Sequence, residues 1–212
     1  MKIYLCAACF IAVYFFSGCT MCSTKKVPCN GFNEPAFAQW FPYTENTWLL
    51  FKNLTSSDTF SYLISNVYKT VPYEATRGGF NNRTEACISS IEIRSDNNGT
   101  AAGYLDIFYS AKEYFDNGPV QKGMSLSFKN SNWNSGEITA TGFAAIPDTL
   151  ASVIAINNNV LFENGITYPA IITLTNDTLF NKTEKAYKLF IAKNIGIIGC
   201  EMFPSKQKWV IQ

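Results

Sequence analysis

Most of the body of this chain alternates apolar and polar side chains with a period of two, and that pattern restricts it to strands with one buried and one wet face. Met124-Ser125-Leu126-Ser127-Phe128-Lys129 alternates strictly. Ile91 and Ile93 alternate with Glu92 and Arg94, Leu105 and Ile107 with Tyr104 and Asp106, and Tyr187, Leu189 and Ile191 with Lys188 and Phe190. Residues that tolerate left-handed backbone punctuate these runs: Asn97-Asn98-Gly99, Asp116-Asn117-Gly118-Pro119, Asn157-Asn158-Asn159 and Asn164-Gly165. The last lies between Val160-Leu161-Phe162-Glu163 and Ile166-Thr167-Tyr168, which predicts a tight hairpin with a type I′ turn. Helix signals are confined to residues 34–40 and 149–156. The stretch Trp48 to Lys52 predicts a strand with Trp48 and Phe51 in the core. The segment from Tyr187 to Gln212 is the most strand-like, with Gly196 and Gly199 relieving a bend and Trp209-Val210-Ile211 returning as the last strand. The expected fold is mostly β: an antiparallel twisted sheet, curled into a sandwich or half-barrel, with little helix.

Composition agrees with one folded domain. Hydrophobic residues make up 47% of the 212 residues and aromatic residues 15%, which favours a packed, strand-rich core over a disordered tail. Lys and Arg number 17 against 16 Asp and Glu. Such a balance offers no electrostatic case for a nucleic-acid partner.

The first residues carry a different message. Met1-Lys2 precedes an uncharged apolar run from Ile3 to Phe16, too short for a comfortable membrane span and followed by polar sequence rich in Thr, Ser and Lys. The run reads as an export signal. Its end, Phe16-Ser17-Gly18-Cys19, resembles the lipobox of bacterial lipoproteins, in which an apolar residue and two small ones precede a lipidated cysteine, although Phe16 stands where Leu is usual. That resemblance implies cleavage before Cys19 and a membrane as partner through lipid on Cys19. It divides the chain into a signal over 1–18, a lipidated cysteine and polar leash over 19–32, and a single β-rich domain over 33–212. Removing Lys2 with the signal leaves 16 basic against 16 acidic residues. In Bacteroidetes-type lipoproteins an acidic cluster just after the lipidated cysteine marks export to the surface; Lys25-Lys26 stand in that place here, so the resemblance implies a bacterial envelope protein on the periplasmic side of the outer membrane. Trp40-Phe41-Pro42-Tyr43, the strand Trp48 to Lys52 and the run Ala192 to Gly199 with Trp209 are similar to small Bacteroidetes-type lipoproteins of unassigned function, and more loosely to periplasmic lipoprotein carriers. The resemblance is structural and carries over no functional residues.

If Cys6 and Cys9 leave with the signal and Cys19 is lipidated, four cysteines remain: Cys22, Cys29, Cys87 and Cys200. An even number in an oxidising space suggests disulfides, and the preferred pairing is Cys22 with Cys29 and Cys87 with Cys200.

Histidine is absent, which removes the common Ser-His-Asp and Cys-His arrangements and most zinc sites, and no Gly-rich phosphate cradle is present. No catalytic residue, metal or cofactor is expected. A carboxylate-only hydrolase of envelope polysaccharide is the enzymatic alternative, with Asp106 and Glu137 as its visible acids, though alternation already places Asp106 on a wet face. Sequons at Asn53, Asn82, Asn98, Asn176 and Asn181 are outweighed by the lipobox. Trp40, Phe41 and Tyr43, near the leash and broken by Pro42, are candidates for an aromatic binding surface. The leading expectation is a non-enzymatic envelope lipoprotein that binds a hydrophobic ligand or another envelope protein; a structural or assembly subunit is a third reading.

Overall fold

The computed structural model describes residues 32–70, 73–76, 84–96, 103–114, 120–144, 153–176 and 183–212. Among the described residues a short helix, α1 (Pro35–Trp40), precedes fourteen strands. These are β1 (Trp48–Asn53), β2 (Thr59–Lys69), β3 (Tyr73–Thr76), β4 (Thr84–Asp96), β5 (Leu105–Tyr114), β6 (Gln121–Phe128), β7 (Ser131–Ser135), β8 (Ile138–Thr139), β9 (Gly142–Phe143), β10 (Val153–Leu161), β11 (Thr167–Thr175), β12 (Lys185–Ala192), β13 (Gly196–Phe203) and β14 (Lys208–Ile211). The main sheet runs β10-β11-β12-β13-β14-β1-β2-β4-β5-β6-β7, with β3 beside β4, while β8 and β9 form a separate pair. It is antiparallel and curls into a half-barrel, as the alternating pattern predicts.

Alternation translates directly into two faces. Ile93, Ile107, Leu126 and Trp133 lie opposite one another across β4 to β7 and are all buried inside the curl. One residue along, Tyr68, Glu92, Phe108, Ser125 and Asn134 form a row on the outer face. In β1 the same rule puts Leu49, Phe51 and Asn53 inward and Trp48 outward, 56% exposed. Trp48 therefore departs from the expected core position; residues three apart in a strand cannot share a face. Strands β12 and β13 are buried on both sides, because Phe162, Tyr168, Ile171, Ala192, Ile198 and Val210 form a second cluster on their outer face. An irregularity in the β12–β13 pairing at Ile198 allows Ile197 and Cys200 to share the inner core although they are three positions apart.

The expected aromatic surface is not formed by Trp40, Phe41 and Tyr43: all three are buried in the core. Phe37, Trp40 and Phe41 recur at helical i, i+3, i+4 spacing, so α1 turns one aromatic stripe inward. Phe37 stacks on Tyr109 of β5 at 5.5 Å between ring centroids, and the Trp40 indole N–H donates to the Thr139 carbonyl at 2.9 Å. Tyr43 reaches β13, where its hydroxyl accepts the Ile197 N–H at 2.5 Å.

Other turns differ in detail. Phe162 N–H donates to the Ile166 carbonyl, Gly165 N–H donates to the Phe162 carbonyl, and of the two turn residues only Gly165 has positive φ (81°). That is a type I turn followed by a left-handed glycine, not type I′, and the Asn164 side chain supports it by accepting the Ile166 N–H and donating to the Tyr168 hydroxyl. Asn157-Asn158-Asn159 belongs to β10 instead of a turn, as does the end of the expected helix over 149–156, because pairing with β11 overrides the local preference. The expected turns at 97–99 and 116–119 lie outside the described residues.

Gly196 joins these layers. Its φ is +97°, and a Cβ there would collide with the Tyr43 hydroxyl. Gly196→Ala is expected to cost about 2–4 kcal/mol in urea unfolding, from left-handed strain plus overpacking. Tyr43→Phe is expected to cost about 1 kcal/mol, because it leaves the Ile197 N–H without its acceptor. A loss below about 0.5 kcal/mol for Gly196→Ala would contradict this packing.

Candidate functional site

The first and last strands meet in one seam, where Phe51 pairs with Ile211 and Asn53 with Trp209. On the other side of β1, Phe51 pairs with Phe60 of β2, and their rings stack at 4.9 Å. Phe60 consequently lies 4.8 Å from the Trp209 ring. The β6–β7 hairpin reaches the same place: Lys129 and Asn130 both have positive φ (48° and 60°) between paired Phe128 and Ser131, which is a two-residue type I′ turn. Lys129 extends its ammonium over Phe60 at 3.9 Å and towards Trp209 at 5.6 Å, a cation held against two aromatic faces.

The backbone fixes this turn. The Lys129 carbonyl accepts the Ala186 N–H at 3.1 Å, and its backbone also hydrogen-bonds the Tyr62 hydroxyl. Asn53, paired with Trp209, is buried, with its Oδ1 accepting the Thr55 N–H and hydroxyl at 2.8 and 2.9 Å, which is the role of a turn residue.

Burial pushes the Lys129 amine below its ordinary value, opposed by the Cys200 thiol and Glu184. Among the described residues no carboxylate lies within ion-pair distance of Lys129; Glu184 accepts a hydrogen bond from Ser205 instead. Burial raises the Cys200 thiol to about 12, with Lys129 pulling it down, and raises the Tyr62 hydroxyl, with Cys200 adding to the rise. The cluster is thus a half-buried cation without an acid, set between a largely buried ring, Phe60, and a half-buried one, Trp209. It is suited to hold an apolar body with an acidic end.

None of the acids singled out in the sequence belongs to this cluster. Asp106 lies on the outer face opposite Arg94, as alternation predicts; burial and neighbouring Glu92 raise its carboxyl, and Arg94 opposes them. Glu137 is held by Lys122 at 2.9 Å, and the same ammonium contacts Glu34 at 3.2 Å. Among the described residues no group of three or more Cys, Asp or Glu is placed to hold a metal ion, and no helix is long and apolar enough to cross a membrane.

The cysteine pairing is corrected. Cys200 is a free, buried thiol, so it does not pair with Cys87, which is itself disulfide-bonded. The reason is positional: Cys200 points into the inner core beside Met202, whereas Cys87 lies on β4, four strands away from β13 in the sheet and opposite Glu113. Cys19, Cys22 and Cys29 lie outside the described residues, as do Asn82, Asn98 and Asn181.

Sequence reasoning missed Lys129 as a functional residue, placing it at the end of a strand. The available signal was Lys129-Asn130 between two alternating runs, a pair compatible with a two-residue turn. No protein-family model, curated protein or solved structure matches the chain.

Cys200 yields a pH test. Its thiol ordinarily titrates at 9.0 and in the fold only at about 12, so above pH 9 the unfolded chain sheds a proton that the folded chain retains. Stability is therefore full below that pH and falls as pH rises from 9 towards 12. Buried Tyr43 and Tyr62 add to the fall above their ordinary 10.0. In urea melts, Cys200→Ala is expected to delay the onset by about one pH unit, and an unchanged onset would refute the assignment.

Proposed function

We propose that the protein is an exported, non-enzymatic binding protein, tethered to an envelope membrane by lipid on Cys19, whose β half-barrel takes a hydrophobic ligand at the Lys129 turn. The observation that carries this reading is the Lys129 ammonium, half-buried over Phe60 and beside Trp209 with no carboxylate partner among the described residues. A ligand with an apolar body and an acidic end compensates that cation and covers the Trp209 ring, so both parts of such a molecule gain on binding. Disulfide-bonded Cys87 supports residence in an oxidising compartment, which the export signal requires.

The carboxylate hydrolase is the weaker reading. Lys122 neutralises Glu137, and Asp106 and Glu92 stand on the neighbouring strands β5 and β4 on the outer face of the sheet, not across a cleft.

Titration with the apolar anion 1-anilinonaphthalene-8-sulfonate, followed by Trp fluorescence and by competition with dodecanoate, tests the site. Saturable binding is expected, weakened about tenfold in Lys129→Met and in Trp209→Ala, the loss of one charge-assisted contact or one aromatic wall. Failure to saturate, or equal affinity in Lys129→Met, would overturn the ligand site. Labelling with radioactive palmitate tests the tether separately: label is expected on the wild-type chain and not on Cys19→Ala.

A further inference from the structure

The two edges of the main sheet are treated differently. At β7 the edge is tied down: the Ser131 hydroxyl donates to the Ala186 carbonyl, the Ala186 N–H to the Lys129 carbonyl, and the Asn176 side chain to the Asn132 carbonyl at 3.0 Å. At the other end of the path, β10 has β11 as its single strand neighbour among the described residues. Its sequence, Val153-Ile154-Ala155-Ile156-Asn157-Asn158-Asn159-Val160-Leu161, contains no charge and no proline. Ala155 to Asn159 are all exposed, as are Leu161 (69%) and, at the adjoining turn, Ile166. Lysine, proline and inward charge are the usual protections of a strand edge, and this strand has none of them.

We infer that β10 pairs antiparallel with β10 of a second copy of this chain, joining two half-barrels through one continuous sheet. The sequence of the edge selects that occupant. Set antiparallel to itself about Asn157, the strand places Val153 opposite Leu161, Ile154 opposite Val160 and Asn157 opposite its own copy, so apolar residues meet apolar residues at both ends and amide meets amide on the axis, with Ala155 opposite Asn159 and Ile156 opposite Asn158 between them. No like charges face each other across the twofold axis, and an isologous contact of this kind closes at two chains. Asn159, left-handed at φ 53°, lies where Pro169 of β11 has no N–H to offer, and the β10–β11 ladder resumes at Val160 with Tyr168. The edge therefore stays in register past its one irregular residue. Strand addition supplies main-chain hydrogen bonds over the length of β10, and the exposed Leu161 and Ile166 extend the contact towards the hairpin tip.

Light scattering coupled to size-exclusion chromatography of the full chain, up to about 200 µM because a single-strand interface is small, is the test. The expected result is a concentration-dependent dimer that Asn157→Lys converts to monomer, with an unchanged circular dichroism spectrum. Ala155→Lys, a second exposed position on the same edge, is expected to do the same should Asn157→Lys fail to fold. A wild-type chain that stays monomeric over the whole range, or a dimer that persists in a folded lysine variant, would overturn the inference.

Discussion

The pairing of β1 with β14 is the contact on which the rest of the molecule depends. On one side of it the strands β2 to β7 follow as a meander of neighbours, and on the other side β13 back to β10 do the same. Within each half the pairing is local in sequence and resembles a chain of hairpins. The seam between the first and last strands joins the two halves into one sheet, and the bonds from Ser131 and Lys129 to Ala186 hold the curl from its other side. It brings Phe51, Phe60 and Trp209 together, and Val210 on its other face completes the second apolar cluster. Closing so long a loop costs entropy that many buried rings must offset, and the inner core supplies them in Trp40, Trp133, Tyr62 and Phe128.

Those side chains fill the inside of the curl. Trp40, Phe41 and Tyr43 occupy the interior as part of the fold itself, so they pack against neighbours and do not wait for a partner. At the seam the packing ends on Lys129 instead of on another hydrophobe. A lysine stem covers aromatic surface while its head remains partly wet, and among the described residues no acid pairs with this head. The same seam that joins the sheet therefore carries a half-buried cation without a carboxylate partner among the described residues.

Much of the architecture was legible because strand alternation is a local signal. Ile91, Ile93, Leu105, Ile107 and Leu126 declare their face by neighbour alone, and the half-barrel follows from joining such strands. The stripe Phe37, Trp40 and Phe41 was equally local, yet Pro42 drew attention to a surface and away from helical spacing. What the sequence hid were relations between distant positions. Nothing near Lys129 indicates that Phe60 and Trp209 will stand beneath its side chain, since strand pairing alone brings β2, β6 and β14 together. Cys200 pairs with nothing for a related reason: loop length says which cysteines are cheap to join, but the direction of a side chain across a sheet says whether they meet.

The place of the ligand is the central claim, and intermolecular nuclear Overhauser effects between dodecanoate and the protein's aromatic protons test it most directly. The account predicts contacts from the alkyl chain to the Trp209 and Phe60 rings, with the carboxylate end nearest the Lys129 side chain. Contacts instead to the outer face at Trp48 or Phe108, with none to Trp209, would contradict it.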